Sequence, residues 1–152
     1  MIITHATKYD IEGIADCAER FFEYAKYEEE GMPLCRESFK RMMLDRFIDK
    51  RMSVCLLLKD SHIGTVRGGI CGFVTQWGYN DSIKIGVEHF YWVDLEFRGI
   101  NSIKLKKAYE KEIYDLGAVK NIMVEPNTHL SAGVARLYGR SGYKPHERFW
   151  IK

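Results

Sequence analysis

The hydrophobic positions of this 152-residue chain keep two rhythms, one near 3.6 residues and one of two, and the changes between them mark the elements. After a short apolar start at Ile2 and Ile3, Thr7 followed by Asp10 resembles a capping box with Asp in place of Glu. Apolar residues then recur at Ile11, Ile14, Ala15, Ala18, Phe21, Phe22 and Ala25, the spacing of one helix face. EEEGMP ends that helix through Gly31 and Pro33, and a second helix is predicted through Phe39, Met42, Met43 and Phe47. Three β-like runs follow, MSVCLLLK, VRGGICGFVTQW and IKIGVEHFYWVDL, separated by the turn formers of DSHIG and GYNDS. From Ile103 the helical period returns at Leu105, Ala108, Tyr109, Ile113 and Leu116, with Gly117 placed to end it. VKNIMVE then reads as a strand, LSAGVARLYGR as a short helix closed by Gly142, and YKPHERFWIK as a last strand. The order β-α-α-β-β-β-α-β-α-β predicts one α/β domain, residues 1–152, on a mixed sheet, with no repeat, low-complexity segment or linker.

Composition changes this picture little. Hydrophobic residues at 46% and charged residues at 29% are ordinary for a globular domain. No apolar run approaches the roughly 20 residues of a membrane helix, and MIITHATKYD lacks the character of a secretory signal, so the expected location is cytoplasmic. Charge is uneven: from Arg98 onward there are 11 Lys/Arg against 5 Asp/Glu, although the whole chain is only +2. That asymmetry suits a small polyanionic ligand better than a nucleic-acid duplex, and equally suits a solvated surface. Cys17, Cys35, Cys55 and Cys71 form no C-x-x-C pair and have no His at ligand spacing, so free thiols and no metal are expected.

Candidate chemistry concentrates in YWVDLEFRGINSIKLKKAYEK, residues 91–111. An extended apolar run meets Arg98-Gly99 and turns helical. Helix-start amides have no partner within the helix, and a glycine beside them lets a bulky anion approach. Many strand-helix junctions contain glycine, so this signal alone is weak.

A second motif, ARLYGRSGYKP at 135–145, is specific. Leu137, Tyr138, Gly142 and Tyr143 resemble the L-Y-x-x-x-G-[FY] signature that precedes the last strand in the GNAT superfamily of acyl-CoA-dependent N-acetyltransferases. The V-x-L-E-F-R-G run at 93–99 is similar to that family's approach to its pyrophosphate loop, and THATKYDIEGI, GGICGFV and the element order extend the likeness over nearly the whole chain. The pyrophosphate loop departs from the family pattern R-x-x-G-x-[GA], which would put glycine at 101 and glycine or alanine at 103. Asn101 and Ile103 stand there instead, and Ser102 takes the last small position if the loop is one residue shorter.

The resemblance implies a GNAT-like fold with a splayed pair of parallel strands, 85–95 and 119–125, and acetyl-CoA between them as co-substrate. Its pantetheine arm would pair with backbone near Val93 and Leu95, and its diphosphate would rest on the amides of Arg98, Gly99, Ile100, Asn101, Ser102 and Ile103. The backbone N–H near Val93 would polarise the thioester carbonyl. Tyr138 would protonate the departing thiolate, a role suited to a phenol that keeps its proton at neutral pH; the alternative is a ring packed between helix and sheet. Glu88, or second to it His89, would take the acceptor's proton; adjacent strand residues face opposite ways unless a bulge intervenes. Ser131 lies where the family often places a cofactor-proximal Asn, and equally could cap its helix. Asn127 and His129 read as loop residues near the cleft.

The implied reaction is acetyl transfer to a primary amine, on a small molecule or a protein, by direct attack in a ternary complex. The acceptor would enter by EEEGMPLCRES and KPHER, where Glu28, Glu29 and Glu30 could attract a cation or simply be solvated. No membrane partner is implied, and a homodimer is compatible with the sequence. The competing class is a GNAT-like binding or structural module, such as a phage-encoded component, which Asn101 and Ile103 would favour.

Overall fold

The computed structural model describes residues 1–124 and 131–146. The expected last strand, 143–152, falls mostly outside them, as do Asn127, His129 and the side chain of Ser131. Within them the chain runs β1 (Ile2–His5), α1 (Ile11–Ala25), α2 (Arg36–Arg46), β2 (Ser53–Lys59), β3 (Val66–Trp77), β4 (Asn80–Val93), α3 (Ile100–Asp115), β5 (Lys120–Ile122) and α4 (Ser131–Arg140). Short 3-10 turns sit at Lys8–Asp10, Tyr27–Glu30 and Leu95–Phe97. The five strands form one sheet in sequence order, antiparallel from β1 to β4, with β5 parallel to β4.

The two apolar stripes read from the sequence cover the sheet from opposite sides. Ile14, Ala15, Cys17 and Ala18 of α1 and Phe39 and Met43 of α2 pack on Cys55, Leu57, Cys71, Phe90 and Trp92. Leu105, Tyr109 and Ile113 of α3 pack on Val54, Leu56, Leu58, Ile70 and Val93. Each fully buried Val, Leu, Ile, Phe or Met among them contributes about 1.5–3 kcal/mol relative to exposure. Asp10 accepts from both the amide and the hydroxyl of Thr7, closing the start of α1 much as its sequence suggests. Arg36 of α2 reaches Glu12, Asp16 and Glu19 of α1, an exposed clamp that sets the two helices side by side.

A bulge in β4 decides what the site can be. Cys71 pairs with Phe90, yet its neighbour Gly72 pairs with Glu88, so His89 is an extra residue without an opposite number. The pleat therefore changes hands at this point. Before it, Glu88 lies opposite Gly72, itself opposite Val54, on the α3 side. After it, Phe90 and Trp92 face α1 and α2, while Tyr91 and Val93 face α3. His89 falls on the α1–α2 side with Phe90: its ring stacks on Phe47 at 5.0 Å, and its Nε2 is 3.2 Å from Met42 Sδ.

The junction after β4 differs from its sequence reading. The strand stops at Val93 rather than continuing to 95, and the helix starts at Ile100, three residues before Ile103. Asp94 causes the stop. Its buried carboxylate takes the Arg20 Nε of α1 at 2.9 Å and the Trp92 indole N–H at 3.0 Å, while its amide donates to Arg67 O at 2.8 Å. The amide bond is the last of the β3–β4 contact, and the two side-chain bonds hold Asp94 where the chain leaves the ladder for the Leu95–Phe97 turn.

Candidate active site

The pairing of β4 with β5 covers only Ile85–Lys120, Gly86–Asn121 and Val87–Ile122. Gly86 is required for this close approach, since a Cβ there would lie 2.3 Å from Ile113 and 2.8 Å from the Asn121 amide oxygen. Beyond Val87 and Ile122 the ladder ends and side chains take over. Glu88 Oε2 accepts from the Val124 amide at 2.9 Å. Tyr138, on α4, donates its hydroxyl to the Val124 carbonyl at 3.2 Å. Both are buried, 4% exposed for Glu88 and 7% for Tyr138. Two of the three residues expected to do proton chemistry are thus brought together where the pairing of the parallel strands ends.

Burial pushes the Glu88 carboxyl up to about 8, opposed in part by the hydrogen bond from Val124. A carboxyl tuned to that range exchanges its proton near neutral pH. Tyr27, in the turn after α1, has its hydroxyl pushed upward by burial and then by the charges of Glu30 and Glu88. Tyr27–Glu30 is an acidic 3-10 turn that follows α1. His89 is not part of this group. Burial and then Arg46 lower its pKa, and its ring packs among Phe47 and Met42 rather than toward Val124.

The Arg98-Gly99 junction lies at the start of α3. Gly99 adopts φ 79 and ψ −118, and a Cβ there would meet nothing within 4 Å. Such a conformation is open to glycine, and the space beside it is clear. The Ile103 amide bonds Gly99 O at 3.3 Å and the Arg98 amide bonds Leu95 O at 3.4 Å. The amides of Ile100, Asn101 and Ser102 occupy the first helical positions, which have no carbonyl partner within the helix. Ile100 is 61% exposed. Asn101 turns its side-chain amide to Phe97 O at 2.9 Å, and the Tyr91 hydroxyl donates to the Ser102 main-chain carbonyl at 2.8 Å, so the side chains of Asn101 and Tyr91 brace the turn. A diphosphate therefore finds fewer amides than the whole run 98–103, but a helix dipole and a glycine approach.

Two other expected contacts differ. Leu95 lies in the 3-10 turn and is exposed, outside the strand that was expected to include it. The Val93 carbonyl already accepts from Arg98 Nε at 2.8 Å, while the guanidinium lies 4.3 Å from the Trp92 ring and 5.4 Å from that of Tyr24. Arg98 thus braces the end of β4. The free amides at the start of α3 and the clear space at Gly99 suit a diphosphate group such as that of acetyl-CoA. Gly99, Ile100, Asn101 and Ser102 are the residues that would hold its phosphates.

Sequence reasoning gave no role to a second cluster behind Tyr138. Glu110 Oε1 on α3 accepts from Lys106 Nζ and from Tyr143 OH, each at 2.6 Å. The Tyr143 oxygen accepts from Asn121 Nδ2 of β5 at 2.8 Å. Lys106 is completely buried, and its ammonium lies 5.2 Å from the Tyr143 ring. A lysine within an otherwise apolar helix face was the available signal, because such a residue needs a buried partner. Among the described residues, no group of His, Cys, Asp and Glu could hold a metal ion, and no helix is long and apolar enough to cross a membrane.

A mixed five-stranded sheet, a parallel pair that parts at its end and a helix starting beside the fork together define the GNAT fold. Solved structures with this architecture bear out the likeness over the full chain. Glucosamine-6-phosphate N-acetyltransferase from Arabidopsis thaliana superposes with a TM-score of 0.75 at 15% identity, covering 99% of this chain and 96% of that one. An acetyltransferase from Trypanosoma brucei gives 0.73 at 13% identity, with 99% and 97% covered. Ribosomal-protein-alanine N-acetyltransferase from Brucella melitensis biovar Abortus 2308 gives 0.71 at 11% identity, with 100% and 99% covered. No protein-family model matches the sequence, and no curated protein matches it significantly.

Proposed function

We propose that this protein is an N-acetyltransferase that moves an acetyl group from acetyl-CoA to a primary amine by direct attack in a ternary complex. The observation that carries the reading is the convergence of Glu88 and Tyr138 on Val124, where β4 and β5 part beside the open start of α3. The acetyltransferase names of structures sharing the fold support it at the level of class.

Acetyl-CoA, when bound, supplies an activated acyl group. The amides at Gly99–Ser102 hold its diphosphate, and the fork beyond Val87 orients its arm. Glu88, as carboxylate, accepts the proton that the attacking amine gives up, directly or through one water. An N–C bond forms as the C–S bond breaks, and the Tyr138 hydroxyl holds the proton that the leaving sulfur takes. Both residues then recover their starting forms by exchange with solvent. The acceptor enters over the Tyr27–Glu30 turn, whose three carboxylates favour a cationic molecule or a lysine-bearing protein.

A thermal-shift titration with acetyl-CoA tests the reading. A ligand at 100 times its Kd adds about 2.7 kcal/mol of stability, which is a clear rise in Tm. An unchanged Tm at millimolar acetyl-CoA would instead indicate a module that uses the fold without the cofactor.

A further inference from the structure

Resting on that reading, we propose that Tyr143 is a positioning residue that aims the Tyr138 hydroxyl into the fork. Three contacts join the two tyrosines. The Tyr143 amide donates to the Tyr138 carbonyl at 3.1 Å, closing the end of α4. Their rings lie 5.6 Å apart, centre to centre. The Tyr143 hydroxyl is then fixed at both of its hydrogen-bonding functions, donating to Glu110 of α3 and accepting from Asn121 of β5.

The last pair of bonds is what gives the arrangement direction. α4 carries Tyr138 but is short, and its surface is mostly exposed. α3 carries the open amides and β5 leads, three residues after Asn121, to Val124. A single hydroxyl therefore ties the helix bearing the acid to both elements that frame the opening. The anchor is itself held, because Glu110 also receives the ammonium of fully buried Lys106. Burial, and then Glu110, push the Tyr143 phenol upward, so it stays protonated and continues to donate. Tyr143 has no reacting atom to serve; it acts only through Tyr138.

The test is a double-mutant cycle on turnover with acetyl-CoA and an amine acceptor, alongside Kd for acetyl-CoA from the thermal titration. Tyr143→Phe keeps the ring and removes the anchoring hydroxyl. It should lower kcat by about 10- to 100-fold, the usual result of moving a catalytic group by a fraction of an ångström to an ångström, while Kd stays unchanged. In the Tyr138→Phe background the same change should cost nothing further, because no hydroxyl remains to be aimed. A loss that is equal in both backgrounds, or a fall in Tm with kcat of the folded protein unaltered, would overturn the proposal. Asn121→Ala provides a second variant should Tyr143→Phe fold poorly. It frees the other side of the anchor and should give a smaller loss that also vanishes without the Tyr138 hydroxyl; a loss that persists there would count against the proposal. Absence of any turnover or acetyl-CoA binding by the unaltered protein would remove the acetyltransferase reading instead, a result distinguishable from failure of the cycle.

Discussion

Glu88 and Tyr138 hold the two polar backbone groups of one residue: the Glu88 carboxylate takes the Val124 amide at 2.9 Å, and the Tyr138 hydroxyl donates to the Val124 carbonyl at 3.2 Å. These residues are 50 positions apart in sequence, on a strand and a helix. Where main-chain pairing between β4 and β5 stops, side chains continue the contact, and they are the ones with protons to exchange.

Glu88 gives a pH prediction of known sign. Its carboxyl is raised from an ordinary 4.5 to about 8, so between those values the native state keeps a proton that the unfolded chain has released. Stability falls as pH rises through that window, by up to about 1.4 kcal/mol per unit, and is level above it. Glu88→Gln, which stays neutral, should flatten this slope in urea titrations at pH 5 and pH 9. In the proposed reaction the rate should climb with pH and level off above about 8, and the same substitution should abolish the climb. A slope unchanged in Glu88→Gln would assign the titration to another group.

Tyr138→Phe should lower kcat by roughly 10²- to 10⁴-fold, the range for loss of a general acid, and leave acetyl-CoA binding nearly intact. The measurement is kcat beside Kd from a thermal titration. Turnover like that of the unaltered protein would reduce Tyr138 to a packed ring with a hydrogen bond.

Gly99→Ala should destabilise by about 1–3 kcal/mol although nothing crowds the new methyl group, because φ 79 with ψ −118 suits only glycine. The backbone at the start of α3 would relax, and acetyl-CoA affinity should fall along with Tm. A variant that loses stability but binds as before would show that the phosphates rest elsewhere.

One thiol in four should react quickly with a disulfide reagent. Cys35 is exposed, and hydrogen bonds from the Ser38 side chain and amide lower its pKa. Cys17, Cys55 and Cys71 are buried; burial pushes the Cys17 thiol up to about 12 and raises Cys71 as well. Kinetics of labelling should show one fast equivalent and three that appear only on denaturation.

Much of the architecture was legible because hydrophobic period reports which side of an element meets a core. Ile14, Ala15 and Ala18 fell on one side of the sheet, and Leu105, Tyr109 and Ile113 on the other, as their spacing requires. Boundaries around the site were less visible. The end of β4 depends on Asp94 finding Arg20, a contact 74 residues distant, and no local pattern carries that. The early start of α3 was hidden because Ile100 is exposed and Asn101 and Ser102 are polar, so its first turn precedes the buried stripe that begins at Leu105. Glu88 and Tyr138 could be singled out from motif and chemistry, but their meeting at Val124 could not. Which of Glu88 and His89 lies beside Val124 depends on a bulge that leaves no mark in composition.

That extra residue at 89 acts as a phase shifter within the strand. Glu88 and Phe90 already face opposite sides, so removing His89 alone would restore perfect alternation and leave Phe90 and Trp92 under α1 and α2 and Tyr91 and Val93 under α3. A one-codon deletion there should consequently leave both cores with their contents and cost mainly the stack of His89 on Phe47.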